Sequence, residues 1–304
     1  MGCGSGLSDK ELEEFRQAGQ IARRVREKAS ALVREGARVL ELCEEVEEAI
    51  RSEGAEPAFP CNVGINEVAA HYTSPPGDEL RIPPRSIVKI DLGVCLDGYI
   101  ADTAVTVALA PDLEPLAEAS RIVLREAIKA MRAGAPVSRI GLIVQETANR
   151  LGFKPIRNLT GHEIKRYELH AGTTIPNIGA PCPGRLQEGH VYAVEPFLTT
   201  MRGAGEVVSA RLRTIFRVEP GKVKLRRLKG EERELINLLI NRFKGMPYTL
   251  RWIKDLDRLR GFHERLVKNG RIYSYPVLVE RFGEPVSQSE HTVIVFEDGC
   301  EVIT

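Results

Sequence analysis

Two segments of this chain resemble each other at an interval of 98 residues, and this repeat limits the possible folds more than any other feature. One segment begins with Gly36-Ala-Arg-Val and ends at Gly54, and the other begins with Gly134-Ala-Pro-Val and ends at Gly152. Both carry apolar residues three or four positions apart, a spacing that predicts an amphipathic helix. Chance similarity between two helix starts is the simpler alternative.

Both repeated segments have the same kinds of neighbours. Helix-like runs precede them at residues 9–35 and 114–133, and strand-like stretches follow them. Helices and strands arranged in this way predict an α/β (α+β) fold, in which helices cover a sheet. We therefore expect two pseudo-symmetric halves that face each other, with a site between them.

The clearest strand signal lies in the first half. Residues 86–96 and 99–109 are rich in Val, Ile and Thr, and Asp97-Gly98 separates them. Asp-Gly between two such runs is a strong signal for a β-hairpin with a two-residue loop. The sequence therefore predicts that the two runs pair as antiparallel strands.

This hairpin would bring two acidic residues together. If Asp97 and Gly98 form the loop, Asp91 lies opposite Ala104, and Asp102 points to the same face as Asp91. Such diagonal neighbours are roughly 7–8 Å apart at Cα. Two exposed acids on a hairpin are the simpler interpretation, whereas bound cations would remove the repulsion between two buried ones.

Two further acids lie beside apolar strand-like runs in the second half. Glu195 follows residues 191–194, and Glu290 precedes residues 292–296. A Glu buried in such surroundings is costly unless it is paired or binds a metal. With one histidine, these acids form a candidate ligand set for two divalent cations: Asp91, Asp102, His162, Glu195 and Glu290. Oxygen-rich ligation with a single His favours Mn, Fe(II), Co or Zn, and two such ions in one site usually indicate hydrolysis.

The overall composition adds few limits. The 304 residues are 43% hydrophobic and 28% charged with a net charge of +1, which is typical of a soluble globular protein without a general affinity for nucleic acid or membrane. No stretch approaches the ~18 apolar residues of a membrane span, and residues 1–10 lack the apolar core of a secretory signal. The six cysteines contain no CxxC pair. We expect a cytoplasmic protein with reduced thiols.

One region has a much more basic composition than the chain as a whole. Residues 211–270 contain 17 Lys and Arg but only 7 Asp and Glu, so they carry about +10. Helical patterns occur at residues 231–243 and 250–267, residues 222–229 form a strongly basic run, and strand character resumes at Ile272. We interpret residues 205–270 as a helical subdomain inserted into a catalytic domain of residues 1–204 and 271–304. Its charge would suit RNA or a ribosome surface, or it is simply a solvated basic face.

Seven short strings, in order along the chain, resemble those of the methionine aminopeptidases, a metallopeptidase family with the pita-bread fold. The strings are Asn66-Glu-Val-Ala-Ala-His71-Tyr-Thr, Lys89-Ile-Asp91-Leu-Gly, Ala101-Asp102-Thr, Gly161-His162-Glu-Ile, Leu169-His170-Ala-Gly, Glu195-Pro-Phe and Ser289-Glu290-His-Thr. The resemblance runs from about Leu7 to the end. It implies two pseudo-symmetric halves with a curved antiparallel sheet covered by helices. The insertion resembles the winged-helix-like one of the type II subclass, in a form that looks archaeal.

The resemblance also implies a role for each metal ligand. Asp91 would chelate one ion, Asp102 and Glu290 would bridge two, and His162 and Glu195 would bind the other. No departure from the family pattern occurs at these five positions. The implied cofactor is a pair of divalent ions, Co, Mn, Fe(II) or Zn.

Four further residues are implied to contact the substrate. His71 and His170 would touch the peptide, with His170 donating to the developing oxyanion, while Glu195 moves a proton from water to the leaving amine. Phe59 and Tyr275 match aromatic residues that line the family's methionine pocket. A lone histidine more often has a structural role, which is how we interpret the others: His190, His263 and His291.

The resulting hypothesis is a monomeric aminopeptidase that removes the N-terminal methionine from nascent proteins and prefers a small second residue, with its basic insertion as a candidate ribosome contact. Two alternatives remain. An Xaa-Pro peptidase or prolidase relative would use a similar fold and metal site, although such proteins usually carry an extra N-terminal domain. A non-catalytic pita-bread protein that binds RNA or ribosomes would typically have lost metal ligands.

Overall fold

The computed structural model of the protein describes residues 7–219, 221, 223, 228 and 230–304. The first half contains α1 (Asp9–Leu32), α2 (Val39–Ser52), β1 (Glu56–Ile65), β2 (Val68–Ala70), β3 (Ile87–Leu96) and β4 (Tyr99–Ala108). The second half begins with α3 (Glu114–Lys129), α4 (Val137–Arg150), β5 (Phe153–Pro155), β6 (Thr160–Lys165), β7 (Glu168–Pro176), β8 (Val191–Val194), β9 (Phe197–Thr200) and β10 (Val207–Arg217). The chain continues with α5 (Gly230–Phe243), β11 (Tyr248–Thr249), a 3-10 helix (Leu250–Trp252), α6 (Leu256–Lys268), β12 (Tyr273–Glu280), β13 (Val286–Gln288), β14 (His291–Val295) and β15 (Cys300–Val302).

Helix α1 begins where the sequence provides a complete cap. The Ser8 hydroxyl accepts a hydrogen bond from Glu11 N at 3.4 Å, and the Glu11 carboxylate accepts one from Ser8 N at 2.9 Å. This capping box satisfies two backbone donors that the first turn would otherwise leave free. The predicted start of the first helical run near residue 9 is thereby confirmed.

The internal repeat is present in the structure as a repeated set of backbone hydrogen bonds. Gly36 N donates to Ile82 O at 2.8 Å, and Gly134 N donates to Leu186 O at 2.8 Å. Ile82 N in turn donates to Ala37 O at 2.9 Å, and Leu186 N donates to Ala135 O at 3.0 Å. Both glycines have a positive φ, +76° and +78°, which other residues rarely adopt. The two halves therefore share a local architecture at these positions, which supports the repeat.

Every strand pairing in the described part of the chain is antiparallel. The strand orders are β1-β3-β4, β11-β10-β12-β2, β13-β9-β5 and β15-β14-β8-β6-β7. Ala104 of β4 and Glu290, just before β14, form a bridge between the halves, with N–O distances of 3.4 and 3.2 Å. The predicted α/β class with antiparallel sheets is confirmed.

Helices cover one face of the sheets. Ile90 and Leu92 of β3 are fully buried in a core that also contains residues of α1 and α2. Helices α3 and α4 form the equivalent core with strands of the second half. Because successive side chains of a strand alternate, Asp91 lies on the face of β3 away from these helices. The acidic face is thus turned toward the other half.

The predicted insertion contains more strand and less helix than expected. Strand β10 occupies residues 207–217 and pairs with β11 and β12. The single helix predicted at residues 250–267 is wrong, because a 3-10 helix is followed by a break at Asp255, which has a φ of +55°, before α6 begins. A separate apolar core lies around α5 and α6. The division at residues 205 and 270 remains a prediction, and the basic run 222–229 lies outside the described residues except for residues 223 and 228.

A buried ion pair explains the break and ties this region to the first half. Arg251 donates two hydrogen bonds of 2.8 Å to the Glu47 carboxylate, and the two side chains are only 4% and 2% exposed. Trp252 Nε1 donates to Glu47 at 2.7 Å, and Cys61 N donates to it at 3.2 Å. The local helical tendency is overridden because Arg251 and Trp252 must both reach the same carboxylate on α2.

Two absences concern the described part of the chain only. None of its helices combines the length and apolar character needed to cross a bilayer. Its five cysteines are free thiols, which agrees with the lack of a CxxC pair; Cys43 and Cys61 are buried, and Cys95, Cys182 and Cys300 are half-buried.

Candidate metal centre

All nine side chains that the sequence singled out line one cavity of about 230 Å³. They are Phe59, His71, Asp91, Asp102, His162, His170, Glu195, Tyr275 and Glu290. They come from both halves of the chain, so the cavity lies where the halves meet. The grouping agrees with the expected position of the site, and the site and the role of each residue remain predictions.

The hairpin in the first half places the two aspartates. Its loop is Asp97-Gly98, with φ values of +48° and +93°, and Asp91 pairs with Ala104 while Gly93 pairs with Asp102. This is the register that the Asp-Gly signal predicts. Asp102 is two positions from Ala104 on β4, and strand positions two apart share a face. Both aspartates therefore point into the same cavity.

The second half brings the other three candidate ligands to them. His162 on β6 pairs with Ala193, and Glu195 follows directly after β8. His162 Nε2 lies 3.7 Å from Asp102 Oδ2 and 3.7 Å from Glu195 Oε1. One candidate ligand atom from each of Asp102, His162 and Glu290 lies within 4.8 Å of the others, and all three are buried. That spacing is suitable for side chains that share a cation.

The charges of this cluster are unbalanced without a cation. Burial raises the pKa of Asp91 to about 7. Burial, together with the neighbouring carboxylates, raises the pKa values of Asp102, Glu195 and Glu290 well above their usual range. Carboxyl groups gathered in a low-dielectric site resist ionisation, and a bound divalent ion would remove that cost.

Buried carboxylate oxygens without hydrogen-bond partners also favour a bound cation. Three buried oxygens, Asp91 Oδ1, Asp102 Oδ1 and Glu290 Oε1, have no hydrogen-bond partner among the described residues. Burial, and next the charge of His170, lowers the pKa of His162 to about 3, so its imidazole is neutral. Orphaned carboxylate oxygens beside a neutral imidazole are the donor set of a divalent transition ion. The residues therefore fit a metal.

Neighbouring polar side chains hold the ligand strands in place. Gln288 Nε2 donates to Glu290 Oε2 at 3.2 Å. The Thr292 hydroxyl accepts from Asp102 N and donates to Asp102 O, both at 2.8 Å. Supporting contacts of this kind orient metal ligands. Neither residue was predicted from the sequence, because nothing in the local pattern marks Gln288 or Thr292 as different from other buried polar residues.

His71 and His170 lie on the cavity wall beside the carboxylates. His71 has a φ of +65°, and its Nδ1 lies 3.2 Å from Pro276 O. A carbonyl only accepts, so Nδ1 carries the proton and Nε2 is left as an acceptor. The rings of His170 and His162 are 4.3 Å apart. Burial lowers the pKa of His71, and burial followed by the charge of His71 lowers the pKa of His170 to about 4, so both are neutral at pH 7.

The two aromatic residues occupy different parts of the wall. Phe59 is 6% exposed and packs against Gly93, where a Cβ would overlap the ring. Tyr275 stacks edge-on against His71 with ring centroids 5.3 Å apart. Gly93 is therefore needed for the position of Phe59.

The cavity also contains residues that sequence reasoning missed. They are Asn62, Ala70, Asn158, Leu159, Thr160, Leu169, Phe197, Ile215 and Pro247. Ile215 and Pro247 lie inside the predicted insertion, so that segment forms part of the wall. Their positions depend on how β10 and β11 pack, which no local pattern reveals.

The remaining histidines are not among the residues that line this cavity. His190 Nδ1 is bonded to Glu163 at 2.8 Å, His263 Nε2 to the Tyr248 hydroxyl at 3.0 Å, and His291 Nδ1 to the Thr304 hydroxyl at 2.9 Å. Each has a polar partner elsewhere in the fold, in keeping with the structural role expected for them.

Comparison with known proteins gives concordant results. The model of metallopeptidase family M24 matches residues 13–224. A methionine aminopeptidase of Saccharolobus solfataricus is 43% identical over 302 residues, which cover 98% of this chain and 99% of that protein. Among solved structures, a thermophilic Arx1 superposes with a TM-score of 0.84 at 20% identity, covering 98% of this chain and 91% of the other. The methionine aminopeptidase of Rickettsia prowazekii superposes with a TM-score of 0.71 at 22% identity, covering 99% of both chains. The pita-bread fold expected from the sequence is confirmed.

Proposed function

We infer that this chain, which belongs to metallopeptidase family M24, removes the N-terminal methionine from peptides and proteins. The family match covers most of the chain, and the methionine aminopeptidase that it resembles is similar over nearly its whole length. The observation that carries the proposal is the meeting of four carboxylates and a neutral histidine in one small cavity. Neither an Xaa-Pro peptidase nor a non-catalytic binding protein is favoured by these features.

The cavity would hold two divalent ions. Asp91 would ligate the first, Asp102 and Glu290 both, and His162 and Glu195 the second. Co, Mn, Fe(II) and Zn all suit this mixture of oxygen and imidazole ligands. Bound there, the ions would lower the pKa of a water toward neutrality and polarise the scissile carbonyl.

The side chains of the protein would direct the proton transfers. Glu195, with its Oε1 3.7 Å from His162 Nε2, would accept a proton from the attacking water and pass it to the leaving amine. His170 would donate a hydrogen bond to the oxygen of the scissile carbonyl as charge develops there. Since the pKa of His170 is lowered to about 4, that donor is a neutral N–H. His71 Nε2, left as an acceptor, would receive a hydrogen bond from the peptide.

The apolar part of the cavity would receive the methionine side chain. Phe59, Leu169, Phe197 and Ile215 line it. An unbranched thioether fits an apolar pocket of limited size and makes favourable contacts with aromatic rings. With Tyr275 and His71 narrowing the adjacent wall, we expect a preference for small second residues.

The natural partner would be the nascent chain. We propose that the basic insertion contacts the ribosome in the cytoplasm and that the protein acts as a monomer. The charge of residues 211–270 supports the contact, which is electrostatic and should weaken as salt rises. Co-sedimentation with ribosomes at low salt, decreasing at higher salt, is the expected result. Its absence at low salt would contradict this part of the proposal.

The activity is tested with metal-free protein and the tripeptide Met-Ala-Ser. We expect free methionine after addition of Co, Mn, Fe(II) or Zn, none without metal, and no cleavage of Ala-Pro peptides. Cleavage of Ala-Pro instead would favour the Xaa-Pro alternative. Metal binding without turnover of either peptide would indicate a different specificity, and failure to bind any metal would favour a non-catalytic protein.

A further inference from the structure

Asn62 is a buried amide on the wall of the active cavity for which neither the sequence strings nor the proposed metal set has a role. It lies on β1, directly opposite Asp91 of β3. Its side chain lines the cavity although the residue is only 6% exposed. A polar side chain in such a place must find a partner or carry an energetic cost.

The orientation of this amide is determined by its surroundings. Asn62 Nδ2 donates to Pro60 O at 3.0 Å. Rotating the amide by 180° would place its oxygen against that carbonyl, so the nitrogen must face Pro60. The oxygen, Oδ1, is buried and has no hydrogen-bond partner in the described part of the chain. An acceptor is therefore left over on a wall of the site.

An unpartnered buried acceptor of this kind destabilises the folded protein, because it has lost its hydrogen bonds to water. The cost is removed when something in the cavity donates to it. Asn158, another asparagine of the same wall, differs in this respect, because its amide exchanges two hydrogen bonds of 2.9 Å with the backbone of Val207. Both the nitrogen and the oxygen of the Asn158 amide are therefore hydrogen-bonded within the fold, whereas the oxygen of Asn62 remains available to a ligand.

A peptide that begins with methionine offers few donors to such an acceptor. Its thioether has none, so the donors beside the scissile bond are the α-amino group and the N–H of the second residue. The second of these belongs to the leaving amine and must lie near Glu195, which the other half of the chain contributes. The α-amino group is left for the side of the cavity that contains Asp91 and Asn62.

We propose that Asn62 Oδ1 accepts a hydrogen bond from the α-amino group of the substrate and so recognises a free N-terminus. This inference rests on the proposed aminopeptidase function and adds a residue to substrate recognition. An uncharged acceptor suits the task, because it binds an amine N–H without favouring the ammonium form as strongly as a carboxylate would.

The test compares two ligands that differ only in the amino group. L-methionine and 4-(methylthio)butanoate, which lacks it, are titrated as competitive inhibitors of the metal-loaded enzyme. The variant Asn62→Leu keeps the size of the side chain and removes the acceptor. We expect about a tenfold loss of affinity for methionine, typical of one lost hydrogen bond, and no change for the des-amino compound.

A matched control is available in the same part of the fold. Thr249 Oγ1 is also buried without a partner among the described residues, but Thr249 is not part of the cavity wall. Thr249→Val removes that acceptor and should leave the affinity for both ligands unchanged. Thermal unfolding and metal content, measured for every variant, show whether the fold and the ions are retained.

Three results would overturn the inference. They are an unchanged affinity of Asn62→Leu for methionine, an equal loss of affinity for both ligands, and a loss of bound metal in that variant. The last two would mean that Asn62 supports the site and does not read the amino group. Failure of the proposed function is distinct, since it would be seen in the wild-type protein as no release of methionine from Met-Ala-Ser.

Discussion

The ion pair between Arg251 and Glu47 gives a quantitative prediction about how the insertion is attached. Arg251→Met removes both hydrogen bonds to Glu47, and also those to Thr73 and Ser74, and leaves a carboxylate that is 2% exposed without its cation. Breaking a buried pair from one side typically costs about 3–5 kcal/mol. At about 2.1 cal/mol/K per residue, the 304 residues unfold with an entropy of about 0.64 kcal/mol/K, so we expect the melting temperature to fall by about 5–8 °C. Urea unfolding followed by circular dichroism measures the loss directly.

A double variant separates the ion pair from general damage. Replacing both partners with apolar residues, in Glu47→Leu/Arg251→Met, should be less destabilising than the sum of the two single changes, because no unpaired charge remains. Arg85→Met is the matched control, since its pair with Asp112 is about two-thirds exposed on both sides. That control should cost less than about 1 kcal/mol. If Arg251→Met costs no more than Arg85→Met, or if the double variant shows no coupling, the buried pair does not attach the insertion as described.

Three other predictions concern the metal site and the insertion. Glu290→Ala and His162→Ala should each abolish methionine release while circular dichroism shows an intact fold, and near-normal turnover in either would contradict the site assignment. For metal-free protein, the pKa of Asp91 is raised to about 7, against about 4 in an unfolded chain. In the folded state this carboxyl keeps its proton between those values, so its own contribution to the free energy of unfolding should fall as pH rises from about 4 to 7. His71, His162 and His170, whose pKa values are lowered, contribute in the opposite direction, so the measurement compares wild-type protein with Asp91→Asn. The stability of metal-free wild-type protein relative to Asp91→Asn should fall over this range, and a relative stability that rises would contradict the assignment. Reversing the charges of residues 222–229 should leave Met-Ala-Ser hydrolysis unchanged but reduce ribosome co-sedimentation, and a loss of hydrolysis would mean that the run shapes the active cavity.

The parts of the fold that follow local rules were predictable from the sequence. Asp97-Gly98 specifies a two-residue loop, and that loop sets the register that places Asp91 opposite Ala104. The repeat that opens at Gly36 and Gly134 depends on backbone angles that only glycine adopts readily. In both cases the physical cause lies within a few residues of the signal.

The parts that depend on contacts between distant segments were not predictable. The helical pattern of residues 250–267 is interrupted because Arg251 is drawn to Glu47, about two hundred residues earlier. Pro247 and Ile215 form part of the cavity wall because β10 pairs with β11 and β12, which brings them to the cavity from a segment that is basic overall. The sequence around Asn62 does not indicate a functional role, because its free acceptor oxygen is recognised only from the hydrogen bonds of the folded protein.

The division of the candidate ligands between the two halves has a consequence for the cooperativity of unfolding. Asp91 and Asp102 come from the first half, whereas His162, Glu195 and Glu290 come after the second repeat has begun. A bound ion would cross-link the two halves, and separating them would release it, so metal binding stabilises only the docked arrangement. Loaded protein should therefore unfold in a single transition, while in metal-free protein the halves are held together only by protein contacts such as the bridge between Ala104 and Glu290. Affinity for the metal becomes a measure of how well the halves are docked.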